Sequence, residues 1–220
     1  MWNKLRLIIY TVIHLKWVQV FYQIYYKVRN RVSDPISFGS LKGFAPLKEP
    51  LKFTNFSFQP DATNIEVAVQ GPIKVSFLNL PHQFDQKVDW NYAANGKLWT
   101  YNLNYFDFLF DSSLETTSGK ELIKLYCHDY GNLKDGLEPY PISLRGINWI
   151  KFMSMNNIQD SEIDQCLYKQ FKILESSLEY HILANHLLEN AFSLFFGAYY
   201  FQNEEYYNKA KDILLSQLKE

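Results

Sequence analysis

The spacing of apolar residues changes twice along this chain. In residues 1–32 apolar positions recur at helical spacing between polar ones, which predicts an amphipathic leader helix. Between residues 53 and 88 the runs FTNFSF, IEVAV and IKVSFL are broken by proline and glycine, which predicts a few short strands or extended segments. Helical spacing returns beyond Gly96, and it predicts helices at residues 103–114, 120–130, 142–155, 161–183, 185–201 and 204–218.

These changes divide the chain into a leader helix at residues 1–32, a loop and short-strand segment at residues 33–95, and a helical array at residues 96–220. The short connectors between the later helices predict that neighbouring helices run antiparallel. Successive helical hairpins favour a solenoid or an α/α toroid over a four-helix bundle. We therefore predict a mainly α protein built on a partial α/α toroid of antiparallel hairpins, whose groove would suit a long polymer.

Charge and composition narrow the range of functions. The chain carries 22 basic and 23 acidic residues, and a net charge of −1 argues against nucleic acid as a partner. Two cysteines are too few for a disulfide framework. The first residues lack the cleavage pattern of a signal peptide, which predicts a cytoplasmic location, with the periplasm as the alternative.

The leader helix has two interpretations. Polar residues interrupt its apolar run too often for a membrane span, which needs about 20 predominantly apolar residues. Docking on the rest of the protein is the first interpretation. The alternative is that the helix lies on a membrane surface, because Trp2 and Trp17 stand near basic residues.

The stretch LEYHILANHLLENAF has the pattern of a packed helix, but it contains a cluster of polar residues. These are Asn185, His186, Glu189 and Asn190. On a helix, His186 neighbours both Glu189 and Asn190. His181 and His186 are five residues apart and point in different directions, so we predict neither a metal site nor a cofactor. A hydrogen-bond network between helices and a binding site for a polar ligand both remain open.

Three segments carry a family resemblance. They are GKLWTYNLNYFDFL, EPYPISLRGINWIKF and LEYHILANHLLENAFSLFFGAYYF, at residues 96–109, 138–152 and 178–201. Together they resemble the heparinase II/III-like polysaccharide lyases, whose catalytic core is an incomplete α/α toroid. The resemblance spans residues 85–218 and implies β-elimination at a uronic acid of an acidic polysaccharide. A non-catalytic glycan-binding or assembly module, and part of a uronyl C5-epimerase, are the alternatives.

The resemblance also implies roles for individual residues. Asn185 and His186 correspond to the pair that engages the uronate carboxylate, and in some members this histidine also acts as a base. Glu189 matches the carboxylate that would orient His186. Arg145 would hold a sugar carboxylate or sulfate, with a salt bridge between helices as the alternative. Trp99, Tyr101, Tyr105 and Tyr140 are candidates for stacking against sugars, although core packing is the favoured interpretation for each.

The chain differs from the family pattern at its C-terminal end. It ends at Glu220, before the position of the family's catalytic tyrosine and before the β-sheet domain that bears another catalytic histidine. We therefore expect little or no lyase activity from this chain alone. We also expect self-association, or pairing with a separate C-terminal fragment, through the apolar side of the last helix around Ile213, Leu214 and Leu218.

Overall fold

The computed structural model describes residue 6 and residues 15–45, 51–52, 64–67, 71–85 and 87–218. Within these ranges the protein is mainly helical and carries one small antiparallel sheet, as predicted. The α-helices are α1 (Trp17–Val32), α2 (Lys97–Tyr105), α3 (Thr116–Asp129), α4 (Pro139–Met155), α5 (Ser161–Ser176), α6 (Ala184–Tyr200) and α7 (Glu204–Gln217). Short 3-10 helices lie at Pro35–Phe38, Asp107–Phe110 and Tyr130–Asn132.

Local sequence signals explain where several helices begin. Asp160 precedes α5, and its side chain accepts hydrogen bonds from the backbone N–H groups of Glu162 and Ile163 at 3.2 and 3.5 Å. Asn203 caps α7 in the same way, by accepting from the Tyr206 N–H at 3.0 Å. These side chains satisfy N–H groups that have no partner inside the first turn of a helix.

The helix predicted at residues 161–183 is wrong at its C-terminal end. α5 ends at Ser176, and residues 177–183 form an irregular segment that leads into α6. Leu183 and Ala184 have φ angles of 65° and 48°, in the left-handed region that most side chains avoid. The polar cluster therefore lies in the first two turns of α6, whereas the preceding part of the quoted stretch, residues 178–183, is not helical.

Four of the helices predicted in the array, α3, α4, α6 and α7, are confirmed with shifted ends, but the helix predicted at residues 103–114 is wrong. α2 replaces the helix predicted at residues 103–114, and it ends at Tyr105 because Phe106 adopts a φ of 62°. A 3-10 helix then covers part of the remaining stretch. The predictions for α3, α4, α6 and α7 differ from the structure by a few residues at their ends.

The sheet has three antiparallel strands in the order β1 (Asn64–Val67), β2 (Ile73–Phe77) and β3 (Leu80–Phe84). The runs IEVAV and IKVSFL form β1 and β2 where the chain is described, whereas the run FTNFSF lies outside the described residues. β3 was not predicted because Pro81 lacks an N–H, but β3 is an edge strand, where that absence is tolerated. Leu78 and Asn79 join β2 to β3 with φ angles of 55° and 60°, the positive values that a type I′ hairpin turn needs.

One hydrophobic core runs from the sheet through the helical array. Phe77 of β2 packs edge-on against Trp99 of α2, with ring centroids 5.2 Å apart. The Trp99 indole N–H donates to the Leu80 carbonyl at 2.8 Å, and the side chain is fully buried. The predicted stacking of Trp99 on a sugar is therefore wrong, because no ligand reaches this ring; core packing is its role.

Alternate helices pack side by side in the helical array. α4 packs against both α2 and α6, while α3 packs against α5. α5 also packs against α4, and α6 against α7. The α4–α6 approach is close because Gly146 and Gly197 flank the Phe171 ring of α5, which any side chain at either glycine would overlap.

The leader helix docks on the helical array, as the first interpretation predicted. The Tyr26 hydroxyl donates to the Leu178 carbonyl at 2.5 Å. The Arg29 guanidinium donates to the Ser176 carbonyl and, at 2.9 Å, to the Ser177 hydroxyl. Residues 7–14 of the predicted leader lie outside the described residues. Across the part of the chain that the structure describes, each helix is too short or too polar to cross a bilayer.

The apolar side of α7 is only partly open. Ile213, which we expected to lack a neighbour, is buried in the core, so this expectation is wrong for that residue. Leu214 is half-buried against the core, and Leu218 is 74% exposed. α6 therefore already covers most of the face through which we expected self-association.

Candidate functional site

An open cleft of about 700 Å³ lies between α1, α4 and the segment 177–183. Its walls include side chains from several parts of the chain, among them Tyr101, Tyr105, Tyr140, Glu138, Glu179 and His186. With Tyr26 and His181, which also line it, the cleft is bordered by four phenol rings, two carboxylates and two imidazoles. A cleft with apolar walls and a few convergent polar groups is the usual form of a small-molecule site.

His186 is the predicted site residue that the cleft displays most directly. It lies in the first turn of α6, and its side chain is 43% exposed. Its Nδ1 atom lies 3.2 Å from Oε1 of Glu179, and its ring centroid is 4.5 Å from that of Tyr140. In the tautomer that places the proton on Nδ1, the imidazole donates to Glu179 and keeps Nε2 as an acceptor or base.

Glu179 is held in place by the buried amide of Asn190. The Asn190 side chain donates to Oε2 of Glu179 at 3.1 Å and accepts from the Glu179 backbone N–H at 2.8 Å. The same amide donates to the Ser143 hydroxyl of α4 at 3.1 Å. Burial raises the pKa of Glu179, while hydrogen bonds from Asn190 and His186 act against that rise. Asn190 thus fixes the segment that brings the carboxylate to His186.

Asn185 is exposed beside His186 on the same first turn of α6, but it is not among the residues that line the cleft. The backbone turns sharply just before this position, because Leu183 has a φ of 65°. The Ala184 N–H donates to Oε1 of Gln217 at 3.2 Å, which ties the start of α6 to α7. The positive end of the α6 dipole therefore lies at the position where the Asn185 amide and the His186 imidazole are displayed.

A second carboxylate, Glu138, lies on the opposite wall and is already paired. Lys97 contacts its Oε1 at 2.7 Å, and the Tyr101 hydroxyl donates to the same oxygen at 2.7 Å. Burial would raise the pKa of Glu138, but the hydrogen bonds from Lys97 and Tyr101 outweigh it and leave that pKa lowered. Burial also raises the pKa of Tyr101 to about 12. At neutral pH this wall therefore presents a paired carboxylate and a protonated phenol.

Tyr105 and Tyr140 also line the cleft, but only Tyr140 is half-buried, whereas Tyr105 is buried at 8% exposure and its ring packs in the core. Their rings meet edge-on with centroids 6.1 Å apart. Burial raises the pKa of both phenols. Both hydroxyls stay protonated at neutral pH and can donate hydrogen bonds to a ligand.

Glu189 does not contact His186 as the resemblance implies. The carboxylate that contacts the imidazole is Glu179, seven residues earlier. Burial and the Asp107 charge raise the pKa of Glu189 overall, although the Lys151 ammonium acts against this rise. Burial and the Glu189 charge in turn raise the pKa of Tyr140. The predicted orienting role of Glu189 is therefore corrected to Glu179.

Arg145 is fully buried and does not reach the cleft. Its guanidinium donates to Oε1 of Gln170 at 2.6 Å, to the Asn104 carbonyl at 2.8 Å and to the Gly136 carbonyl at 2.9 Å. It also lies over the Tyr126 ring, 4.6 Å from the centroid. The predicted contact with a sugar is wrong. The salt-bridge alternative is also not what is observed, because these three acceptors are neutral.

Sequence reasoning missed the residue that orients His186. Glu179 belongs to the quoted stretch, but a continuous helix would have placed it seven positions from His186, nearly two turns away. Arg29 and Lys134 place two cations at the cleft, and no sequence motif pointed to either residue. The break at Leu183 is the feature that brings Glu179 to the imidazole, and no glycine or proline marks it.

The described residues contain no group of three or more histidine, cysteine, aspartate or glutamate side chains that could hold a metal ion. No protein-family model, no curated protein and no solved structure matches this chain. The family resemblance therefore stays a prediction that rests on the three sequence segments.

Proposed function

We propose that the cleft binds a uronic acid residue of an acidic polysaccharide, and that the chain supplies part of the active site of a polysaccharide lyase. The observation that carries this proposal is the His186 imidazole, held by Glu179 at 3.2 Å and half-exposed in a cleft with phenol walls. Asn185, exposed on the same turn, adds an amide donor beside it. Carboxylate recognition needs donors of this kind at a position that a ligand can reach.

The helix packing supports the partial α/α toroid that the resemblance implies. Stacked hairpins bring every second helix into contact, and α2, α4 and α6 form such a series, with α3 and α5 beside them. The cleft opens near the N-terminal turns of α4 and α6. A polymer at these helix ends would meet positive dipole ends and the cations Arg29 and Lys134.

The proposed chemistry follows from the groups at the cleft. Nε2 of His186 takes the proton from C5 of the uronate, the electron pair forms a double bond between C4 and C5, and the C4–O bond breaks. The leaving oxygen takes up a proton from a solvent water, and the imidazolium returns its proton to solvent. Negative charge develops next to the uronate carboxylate, and the Asn185 amide with the positive end of α6 stabilises it. Glu179 stabilises the imidazolium that forms.

Glycan binding without bond cleavage is the second candidate. The pKa values of Tyr101, Tyr105 and Tyr140 are all raised, so these phenols stay protonated and do not act as bases at neutral pH. They can stack on sugar rings and donate hydrogen bonds. A cleft built for binding alone would use these same walls.

The test is a titration of the chain with uronate-containing oligosaccharides, followed by calorimetry and by the ultraviolet absorbance of the unsaturated product. We expect His186→Gln and Asn185→Ala each to weaken binding about tenfold or more, since each removes a donor to a charged group. A carboxyl-reduced oligosaccharide should bind as weakly to the native chain. His128→Gln is the matched control, because His128 is an exposed histidine that also faces a glutamate, Glu162, away from the cleft.

The outcomes separate the candidates. Unchanged binding in both His186→Gln and Asn185→Ala would overturn the site. Binding that depends on both residues but yields no absorbing product would identify a binding module. Absorbing product that is lost in His186→Gln and kept in His128→Gln would support the lyase.

A further inference from the structure

The leader helix α1 carries an apolar stripe that the described residues leave exposed. The side chains of Trp17, Phe21, Ile24, Val28 and Val32 are each between 59% and 88% exposed. Their spacing of three or four residues places them on one face of the helix. Soluble monomers rarely leave large apolar side chains contiguous in this way, so the stripe indicates a contact surface.

The opposite face of α1 fixes the direction of this stripe. Tyr26 is buried against the helical array, and its hydroxyl is bonded to the Leu178 carbonyl. Val28 lies two residues later, about 200° further round the helix. The helix is therefore held by one side while the apolar stripe points away from the protein body.

The distribution of charge along the chain indicates which kind of surface the apolar stripe contacts. The first 33 residues contain six basic and no acidic residues, whereas the rest of the chain carries a net charge of −7, which gives −1 in total. Lys27 and Arg31 are exposed on α1, at helical positions that flank one side of the stripe. A second copy of this face would bring two cationic helices together, whereas an anionic lipid surface would attract them.

We propose that α1 lies in the plane of an anionic membrane surface, with the apolar stripe among the lipid headgroups and upper acyl chains. An interfacial helix of this kind combines an apolar face with basic flanks, and aromatic residues such as Trp17 favour the headgroup level. Tyr26, Arg29 and Asn30 line the candidate cleft, so docking holds that cleft beside the bilayer. This proposal is independent of what the cleft binds.

The test is flotation of the chain with vesicles of phosphatidylcholine alone and with vesicles in which roughly a third of the lipid is phosphatidylglycerol. We expect binding to the anionic vesicles that weakens with added salt, and much weaker binding to the neutral ones. A triple variant, Phe21→Ser with Ile24→Ser and Val28→Ser, should lower the partition coefficient about 100-fold. A double variant, Lys27→Gln with Arg31→Gln, should lower it about tenfold or more on anionic vesicles only.

A matched control uses apolar residues that are similarly exposed elsewhere. Phe192, Tyr199 and Leu215 are between 45% and 54% exposed on α6 and α7, and their change to serine should leave vesicle binding intact. Circular dichroism confirms that each variant folds. Failure of the native chain to bind anionic vesicles would overturn the proposal, as would equal binding by the native chain and the triple variant. A native dimer that the triple variant converts to a monomer, without vesicle binding, would assign the stripe to a second copy and equally overturn it.

Discussion

Replacement of Asn190 by alanine tests whether one buried amide holds the cleft together. The side chain is fully buried and makes three hydrogen bonds, two to Glu179 and one to Ser143. A neutral hydrogen bond contributes about 1 kcal/mol net, and one to a charged group about 1.5–3 kcal/mol. The Glu179 backbone N–H, left unpaired in a buried position, costs about 1–3 kcal/mol on its own. We therefore expect Asn190→Ala to lower the free energy of unfolding by about 3–4 kcal/mol.

Urea denaturation followed by far-ultraviolet and near-ultraviolet circular dichroism measures this loss. With an m-value of about 2–3 kcal/mol per M, the midpoint should fall by more than about 1 M. Asn185→Ala is the matched control, since it removes the same side chain from an exposed position on the same helix. Its effect on stability should stay within about 0.5 kcal/mol.

Asn190→Ala should also weaken ligand binding at His186, although Asn190 does not line the cleft. Without the amide, Glu179 is no longer fixed against the imidazole. The reasoning fails if Asn190→Ala and Asn185→Ala unfold at the same urea concentration. It fails equally if Asn190→Ala keeps native affinity for the oligosaccharide.

Three further predictions concern the helical array. Gly197→Ala should lower stability by about 1–3 kcal/mol because the new methyl group overlaps the Phe171 ring, whereas Gly131→Ala, which meets open space, should be near neutral in thermal melts. Arg145→Lys should cost about 2–4 kcal/mol in urea denaturation, because one ammonium cannot reach all three buried acceptors; a loss below about 1 kcal/mol would contradict this. Asp160→Ala should cost about 1 kcal/mol at neutral pH through loss of the α5 cap. Burial acts to raise the pKa of Asp160, but bonds from two lysines lower it overall, so its stabilisation is present above the usual aspartate pKa and is lost as pH falls. The difference between native and Asp160→Ala should therefore vanish in acid-titrated melts.

Apolar periodicity was sufficient to predict the class of the fold and most of the helices. Each of α3 to α7 has a buried face at helical spacing, and that spacing is visible in the sequence. The segment 177–183 was not predictable by this means, because its residues have helical composition. Its shape depends on Asn190, which is seven residues beyond the segment and takes the Glu179 N–H that a helix would have used.

The candidate site was predictable only in part, for a related reason. His186, Tyr105 and Tyr140 were proposed from sequence segments, and the cleft brings them together. The carboxylate beside His186 was assigned to Glu189 because the family resemblance implies a carboxylate one helical turn further on. A change of backbone direction at Leu183 brings Glu179 there instead, and contacts between distant residues of this kind have no periodic signal.

The buried guanidinium of Arg145 has a consequence for how this protein could be divided or extended. The guanidinium joins α4 to the end of α2, to the loop before α4 and to α5. Three separate pieces of the chain therefore share one cation. Modules in a true repeat array can be removed or duplicated because each contacts only its neighbours. Here, removal of any one of these three pieces would leave the Arg145 guanidinium without one of its acceptors in an apolar interior. These hairpins should therefore be inherited, exchanged and engineered only as one block.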